Sequence, residues 1–132
     1  MKIKTKDLVG TALDWVVTTS RGLKIEYDGI AHWVVSDKFA KQLGAHFDAT
    51  GKQCGYSPST DWACGGPIIE REKIELIPER VKVGCWCAAL WDEDRCADIS
   101  ATGPTPLIAA MRCYVAFAIG DEVEVPNELV TP

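Results

Sequence analysis

The sequence predicts an α+β fold: one domain, arranged as a three-layer α/β/α sandwich with a small antiparallel sheet between helices. Three observations predict it. The chain has 132 residues, which suits a single core. Two stretches, 6–21 and 106–119, place apolar residues at helical spacing and are each followed by a glycine, Gly22 and Gly120. Between them, residues 74–101 hold short β-rich runs divided by Pro78 and by Asp92-Glu93-Asp94. Helices outnumber what one sheet face of a small domain needs, so both faces are expected to be covered.

Residues 1–4 read as a short strand or an ordered tail. Thr5 is a candidate N-cap, with Asp7 in the first turn where the helix dipole favours an acid. Leu8, Ala12, Trp15, Val16 and Thr19 then fall on one face of a helix over 6–21, and Arg21 suits its negative end. Residues 23–27 alternate as a strand, Asp28-Gly29 is a turn signal, and 30–35 read as the partner strand. A short helix is expected over 37–43, ended by Gly44, and an exposed loop over 46–55.

The most specific stretch is Tyr56-Ser57-Pro58-Ser59-Thr60-Asp61-Trp62-Ala63-Cys64-Gly65-Gly66-Pro67-Ile68-Ile69-Glu70. Ser59 or Thr60 is the expected cap of a helix over 59–73, because a hydroxyl there takes a first-turn N–H that has no partner inside the helix. Pro67 lacks an N–H and crowds the preceding turn, so a kink or restart is expected near Gly65-Gly66. Trp62, Ile69 and Cys64 or Gly66 are expected to face the core.

Residues 74–77 alternate and stop at Pro78. Residues 80–91 form the strongest strand candidate, and 95–101 return antiparallel across the Asp92-Glu93-Asp94 turn. Thr105 caps the last helix, with Pro106 at its first position, where a missing N–H costs nothing. Leu107, Met111, Tyr114, Val115 and Ala118 make its stripe, and Ala109, Ala110 and Ala116 permit close packing. The tail 121–132 alternates at Val123 and Val125 and stops at Pro126, as an edge strand or a surface drape.

Composition narrows the function classes. Net charge is −5, from 19 acids and 14 bases, so a duplex nucleic acid partner, which needs clustered cations, is disfavoured. No run approaches the ~20 apolar residues that cross a bilayer, and residues 1–7 have no apolar signal region, so a cytoplasmic protein is expected. Its six cysteines, Cys54, Cys64, Cys85, Cys87, Cys96 and Cys113, are then expected as reduced thiols. Cys85 and Cys87 face one side of a strand, with Cys96 across the hairpin, but no C-x₂-C pair is present, and His32 and His46 are not spaced as a helical pair. Glu70 and Glu72 point to different sides of a helix. Gly65-Gly66 follows a helix start instead of preceding one, unlike a phosphate loop. No catalytic residue, metal ligand or cofactor is assigned.

The stretch 56–72, together with Gly103-Pro104-Thr105-Pro106-Leu107-Ile108-Ala109-Ala110-Met111-Arg112-Cys113-Tyr114-Val115-Ala116, Gly120-Asp121-Glu122-Val123-Glu124-Val125-Pro126 and the start Met1-Lys2-Ile3-Lys4-Thr5, resembles the NinX-like proteins of tailed phages and prophages. The resemblance spans most of the chain except about residues 24–53 and 92–100, which departs from it as a variable insertion would at 24–53. It implies a single domain over 1–132, a distant likeness to phage α-β-α sandwich domains, and a phage accessory protein made in the infected or lysogenic bacterial cytoplasm. It implies no enzyme activity.

Two functional expectations follow. The first is a non-enzymatic protein that binds a host or phage protein, or assembles with itself, through exposed apolar surface on helix 6–21 or the tail. The alternative is a binder of a small anionic ligand, a nucleotide or phosphorylated metabolite, such as a signal of host antiviral defence. For the alternative, Tyr56, Trp62 and Trp86 are stacking candidates. Ser59, Thr60 and Asp61 carry one helix start and residues 106–108 another. Gly65 and Gly66 allow close approach, and Arg112, on the polar side of the last helix, meets the anion. Against this stands a plainer reading, in which the aromatics are core and Arg112 bridges to Asp121.

Overall fold

Thr105 and Gly120 bracket the helix around which the chain packs. In the computed structural model, which describes residues 1–20, 25–27, 33–35, 57–81 and 83–125, the elements run as follows. β1 (Lys2–Lys4) leads into a 3-10 turn (Thr5–Asp7) and α1 (Gly10–Ser20). A hairpin of β2 (Ile25–Tyr27) and β3 (Trp33–Val35) comes next, then α2 (Trp62–Glu72). β4 (Glu75–Pro78), β5 (Trp86–Asp92) and β6 (Ala97–Gly103) precede α3 (Pro106–Ala118) and β7 (Glu122–Glu124). The expected helix over 37–43, the loop over 46–55, the Gly22 stop and the tail beyond 125 lie outside the described residues.

The α+β class is the observed one, with antiparallel pairing throughout the described strands. β4, β5 and β6 form one sheet in that order, with Ile77 opposite Cys87, Cys87 opposite Thr102 and Trp91 opposite Asp98. β1 pairs with β7, Ile3 opposite Val123, and β2 pairs with β3, Ile25 opposite Val35. α3 packs on β4, β5 and β6 and also against α1 and α2. Ala109, Ala110, Met111, Cys113 and Val115 are fully covered, so α3 is buried all round from Ala109 to Val115 and not along a single stripe. Leu13, Val16 and Val17 of α1, Ile68 of α2, and Ala88 and Leu90 of β5 supply the surrounding core. Deleting a side chain such as Met111 from a core of this kind costs about 2–5 kcal/mol.

Several boundaries move for identifiable reasons. Thr5 does not cap α1. Its N–H donates to Asp121 O (2.7 Å) and its hydroxyl to Gly120 O (2.6 Å), which pins the start of the chain to the end of α3. The first turn therefore closes as 3-10, and α1 begins only at Gly10, whose φ is +58°. β5 starts at Trp86 and not at residue 80, because Glu79 N–H donates to Cys85 O (2.9 Å) and Gly84 turns the chain at φ +81°. β6 begins two residues later than expected, since Asp92 Oδ1 accepts from the amides of Asp94 (3.0 Å) and Arg95 (3.3 Å) and holds a longer turn.

α2 runs unbroken through Pro67. A residue before proline is driven out of the helical region by its own Cβ and N–H against the proline ring. Gly66 has no Cβ, which removes much of that clash. Ala63, whose carbonyl loses its donor to Pro67, is exposed, so water can satisfy it. The cap is Asp61, accepting from Ala63 N–H (3.0 Å), and neither Ser59 nor Thr60.

Gly65 has the opposite role. A Cβ there would collide with the carbonyl oxygen of Pro58 and lie 2.7 Å from Leu107 Cδ2, whereas a Cβ on Gly66 meets nothing within 4 Å. Gly65→Ala is expected to destabilise by about 1–3 kcal/mol through overpacking against backbone. Gly66→Ala is expected to stay within about 0.5 kcal/mol of the parent, its helix-propensity gain offset by the proline that follows. Urea unfolding of the two variants checks both; equal losses would mean that the contact of Gly65 with Pro58 and Leu107 does not set the α2–α3 spacing.

Candidate functional site

The two helix starts singled out in the sequence do converge. Ser59, Thr60 and Trp62 face residues 105–108 across a cleft of about 240 Å³. Trp62, expected in the core, is 53% exposed on one wall. The chemistry of the cleft is less suited to an anion than convergence alone implies. Asp61 caps α2 with a carboxylate, Thr105 Oγ1 already accepts Ile108 N–H (3.2 Å), and Pro106 contributes no N–H. The cleft offers an indole face for stacking but few unused amide donors.

The remaining candidates separate. Gly65 is buried in the α2–α3 contact, and Gly66 borders open space. Trp86 packs half-buried against the core from β5. Tyr56 lies outside the described residues. Arg112 is not on a polar helix face: it is 9% exposed, with Nε donating to Leu8 O (2.8 Å) and Nη1 to Thr102 O (2.9 Å). It borders a different cavity, of about 290 Å³, with residues 83–85 and 102–104. The expected bridge to Asp121 is not formed. Burial pulls its pKa down from the usual arginine value, opposed by Asp7 and Cys85.

Two features were not visible in the sequence. The larger is a groove of about 500 Å³ between the 3-10 turn and β6, with Lys4, Lys6, Asp121 and Glu122 along it. It forms because β1 and β7 come together, which no local pattern announces. The other is Asp14 on α1, whose Oδ1 accepts Ser59 N–H at 2.8 Å and so ties α1 to the turn before α2. Burial pushes its pKa up to about 6, with the hydroxyl and amide of Ser59 pulling the other way. The Ser59 hydroxyl is near enough to favour the carboxylate's charge but meets no hydrogen-bond geometry, and its Oγ is enclosed without a partner.

The two buried thiols are not poised for attack. Burial pushes Cys64 up to about 11 and Cys113 up to about 12, so both are neutral near pH 7. Cys113 donates to Ile99 O (3.2 Å) and Cys64 to Asp61 Oδ2 (3.6 Å). Cys85 and Cys87 are half-buried and Cys96 exposed, at a left-handed φ of 49°. Among the described residues, no cluster of three His, Cys, Asp or Glu side chains is placed to hold a metal ion. No helix among them is long and apolar enough to cross a membrane.

Asp14 makes stability fall as pH rises. Folded, it titrates at about 6 against 3.8 when solvated, so between those values the folded state holds the proton that the unfolded state releases. The stability lost is complete above about pH 6 and amounts to about 3 kcal/mol. Asp14→Asn keeps an acceptor for Ser59 N–H and cannot ionise. It is expected to be about 2–3 kcal/mol more stable than the parent at pH 7.5, with the gap closing toward pH 4. Denaturant titrations at both pH values check this, and a gap independent of pH would show that Asp14 is not the titrating group.

Among curated proteins, none matches the chain. A family model described as bacteriophage P22 NinX matches residues 4–117, a span that holds α1, α2, the three-stranded sheet and nearly all of α3. The pattern that folds as an all-round buried α3, entered through Thr105-Pro106 and packed against Gly65, is thus contained in the family's own span, and the chain belongs to the NinX family of phage proteins.

Proposed function

We propose that this phage accessory protein works by binding another protein and not by catalysis. The observation that supports it best is the outward side of the three-stranded sheet. Alternate residues of a strand share a face, so Cys87, Ala89 and Trp91 of β5 form one row, with Ile77 of β4 opposite Cys87. Trp91 is 57% and Ile77 45% exposed, and the turn between β4 and β5 carries Val81 and Val83 almost wholly in solvent. The neighbouring row of β6, Asp98, Ser100 and Thr102, is polar. An apolar strip with an aromatic anchor and a polar margin is the composition of a protein-binding patch. Scattered single apolar residues need no explanation, but a row of this kind does. The expected docking surfaces were helix 6–21 and the tail; the sheet carries the stronger signal.

The partner is a host or phage protein, or a second copy of the chain. A photoreactive residue in place of Trp91 or Val83 is expected to give one discrete adduct in infected cells, competed by the parent protein and absent when the probe replaces exposed Lys73. Sedimentation equilibrium distinguishes a second copy from a different protein. With the probe at Val83, Trp91→Ser combined with Val81→Ser should abolish the adduct while leaving the thermal midpoint within about 3 °C, since surface changes stay near ±0.5 kcal/mol. A monomer that yields no competed adduct at either position overturns the proposal.

A further inference from the structure

Arg112 is held so that its charge is unanswered. Both acceptors it reaches, Leu8 O and Thr102 O, are neutral carbonyls. Guanidinium carries five N–H donors, so three remain after these two bonds. Nη2 has no hydrogen-bond partner among the described residues. It is also not sealed in, since the one enclosed side-chain atom lacking a partner among them is Ser59 Oγ. Arg112 is itself a lining residue of the cavity that residues 83–85 and 102–104 enclose. No acid among the described residues forms an ion pair with Arg112, and Asp7 favours its charge only from a distance. The rim is backbone-rich: a Cβ on Gly84 would meet nothing within 4 Å, so no side chain fills the space there.

A covered cation whose partners are only dipoles gains from an anion. Guanidinium is planar, stays charged, and presents N–H groups that match the oxygens of carboxylate and phosphate. We infer that the Arg112 cavity binds a small oxyanion, a carboxylate or a phosphate group, at the Arg112 guanidinium between the β4–β5 turn and the entry to α3. The cavity shares Val83 and Thr102 with the margin of the outward apolar row, but the inference rests on Arg112 and does not depend on the protein-binding proposal.

The test is thermal unfolding of the full chain in inorganic phosphate, acetate or chloride at one ionic strength, with the ¹⁵N resonances of the Arg112 guanidinium followed in parallel. Phosphate or acetate at about ten times its Kd is expected to raise Tm by about 3–5 °C over chloride and to move those resonances. The stronger of the two identifies the preferred group. Thr102→Glu and Val83→Glu change exposed residues at the rim and tether a competing carboxylate there, weakening the response about tenfold or more. Arg112→Gln abolishes it; where that variant fails to fold, the rim variants and the resonances decide. Equal Tm in the three salts overturns the inference. So does a phosphate response that leaves the Arg112 resonances unmoved or survives Thr102→Glu undiminished.

Discussion

From Ala109 to Val115 no residue of α3 is more than 9% exposed, and a helix enclosed on every side dictates what must surround it. One sheet face covers part of it, and α1 and α2 cover more. Its end is fastened to the start of the chain by Thr5, whose amide and hydroxyl take two carbonyls, Asp121 O and Gly120 O, that follow the last turn. The same fastening brings β1 beside β7, and with them the groove that Lys4 and Glu122 border. Much of the topology is therefore a consequence of enclosing one thirteen-residue helix.

Enclosure also explains the small residues. Elements can surround a helix closely only where side chains give way. Gly65 lets the turn at Pro58 and the side chain of Leu107 approach α2, and a Cβ on Gly103 would lie 2.8 Å from Ala109 N. Gly103-Pro104 thus sets the angle at which β6 hands over to α3. Gly66 is different in kind: nothing presses on it, and its use is to let Pro67 sit inside a continuous helix. Two adjacent glycines, identical in sequence terms, do different physical work.

What could be read from the sequence was local. Thr105-Pro106 as a helix entry, Gly120 as its exit, and an antiparallel return after the Asp92-Glu93-Asp94 turn, expected over 95–101 and found over 97–103, rest on local signals. What could not be read was where a side chain finishes once distant segments pass over it. Trp62 has the pattern of a core residue and is exposed; Arg112 falls on the polar side of the helical pattern and is covered. Thr5 has the chemistry of a cap, but its hydroxyl goes to a residue 115 positions away. The candidate site suffered most, because a site is a meeting of segments. The convergence of residues 59–62 with 105–108 could be anticipated only conditionally, and Asp14, bonded to the amide of Ser59, carries no sequence signal at all.

Among the described residues, Asp14 and Arg112 are covered charges with perturbed pKa values, and both are held by backbone groups instead of an opposite charge. Their situations are not symmetrical. A carboxylate that is poorly solvated can escape by taking a proton, and with a pKa near 6 Asp14 does so under mild acid. Its cost is thus limited by its own titration. Arginine has no such exit, because even a lowered pKa leaves it charged at any pH the protein meets. Two carbonyl dipoles offset part of the cost, and the rest persists in the folded state. If packing alone had set this position, an uncharged side chain would fill it with less penalty. A guanidinium at a covered position that opens onto a cavity is what favours an anion there over a purely structural clip.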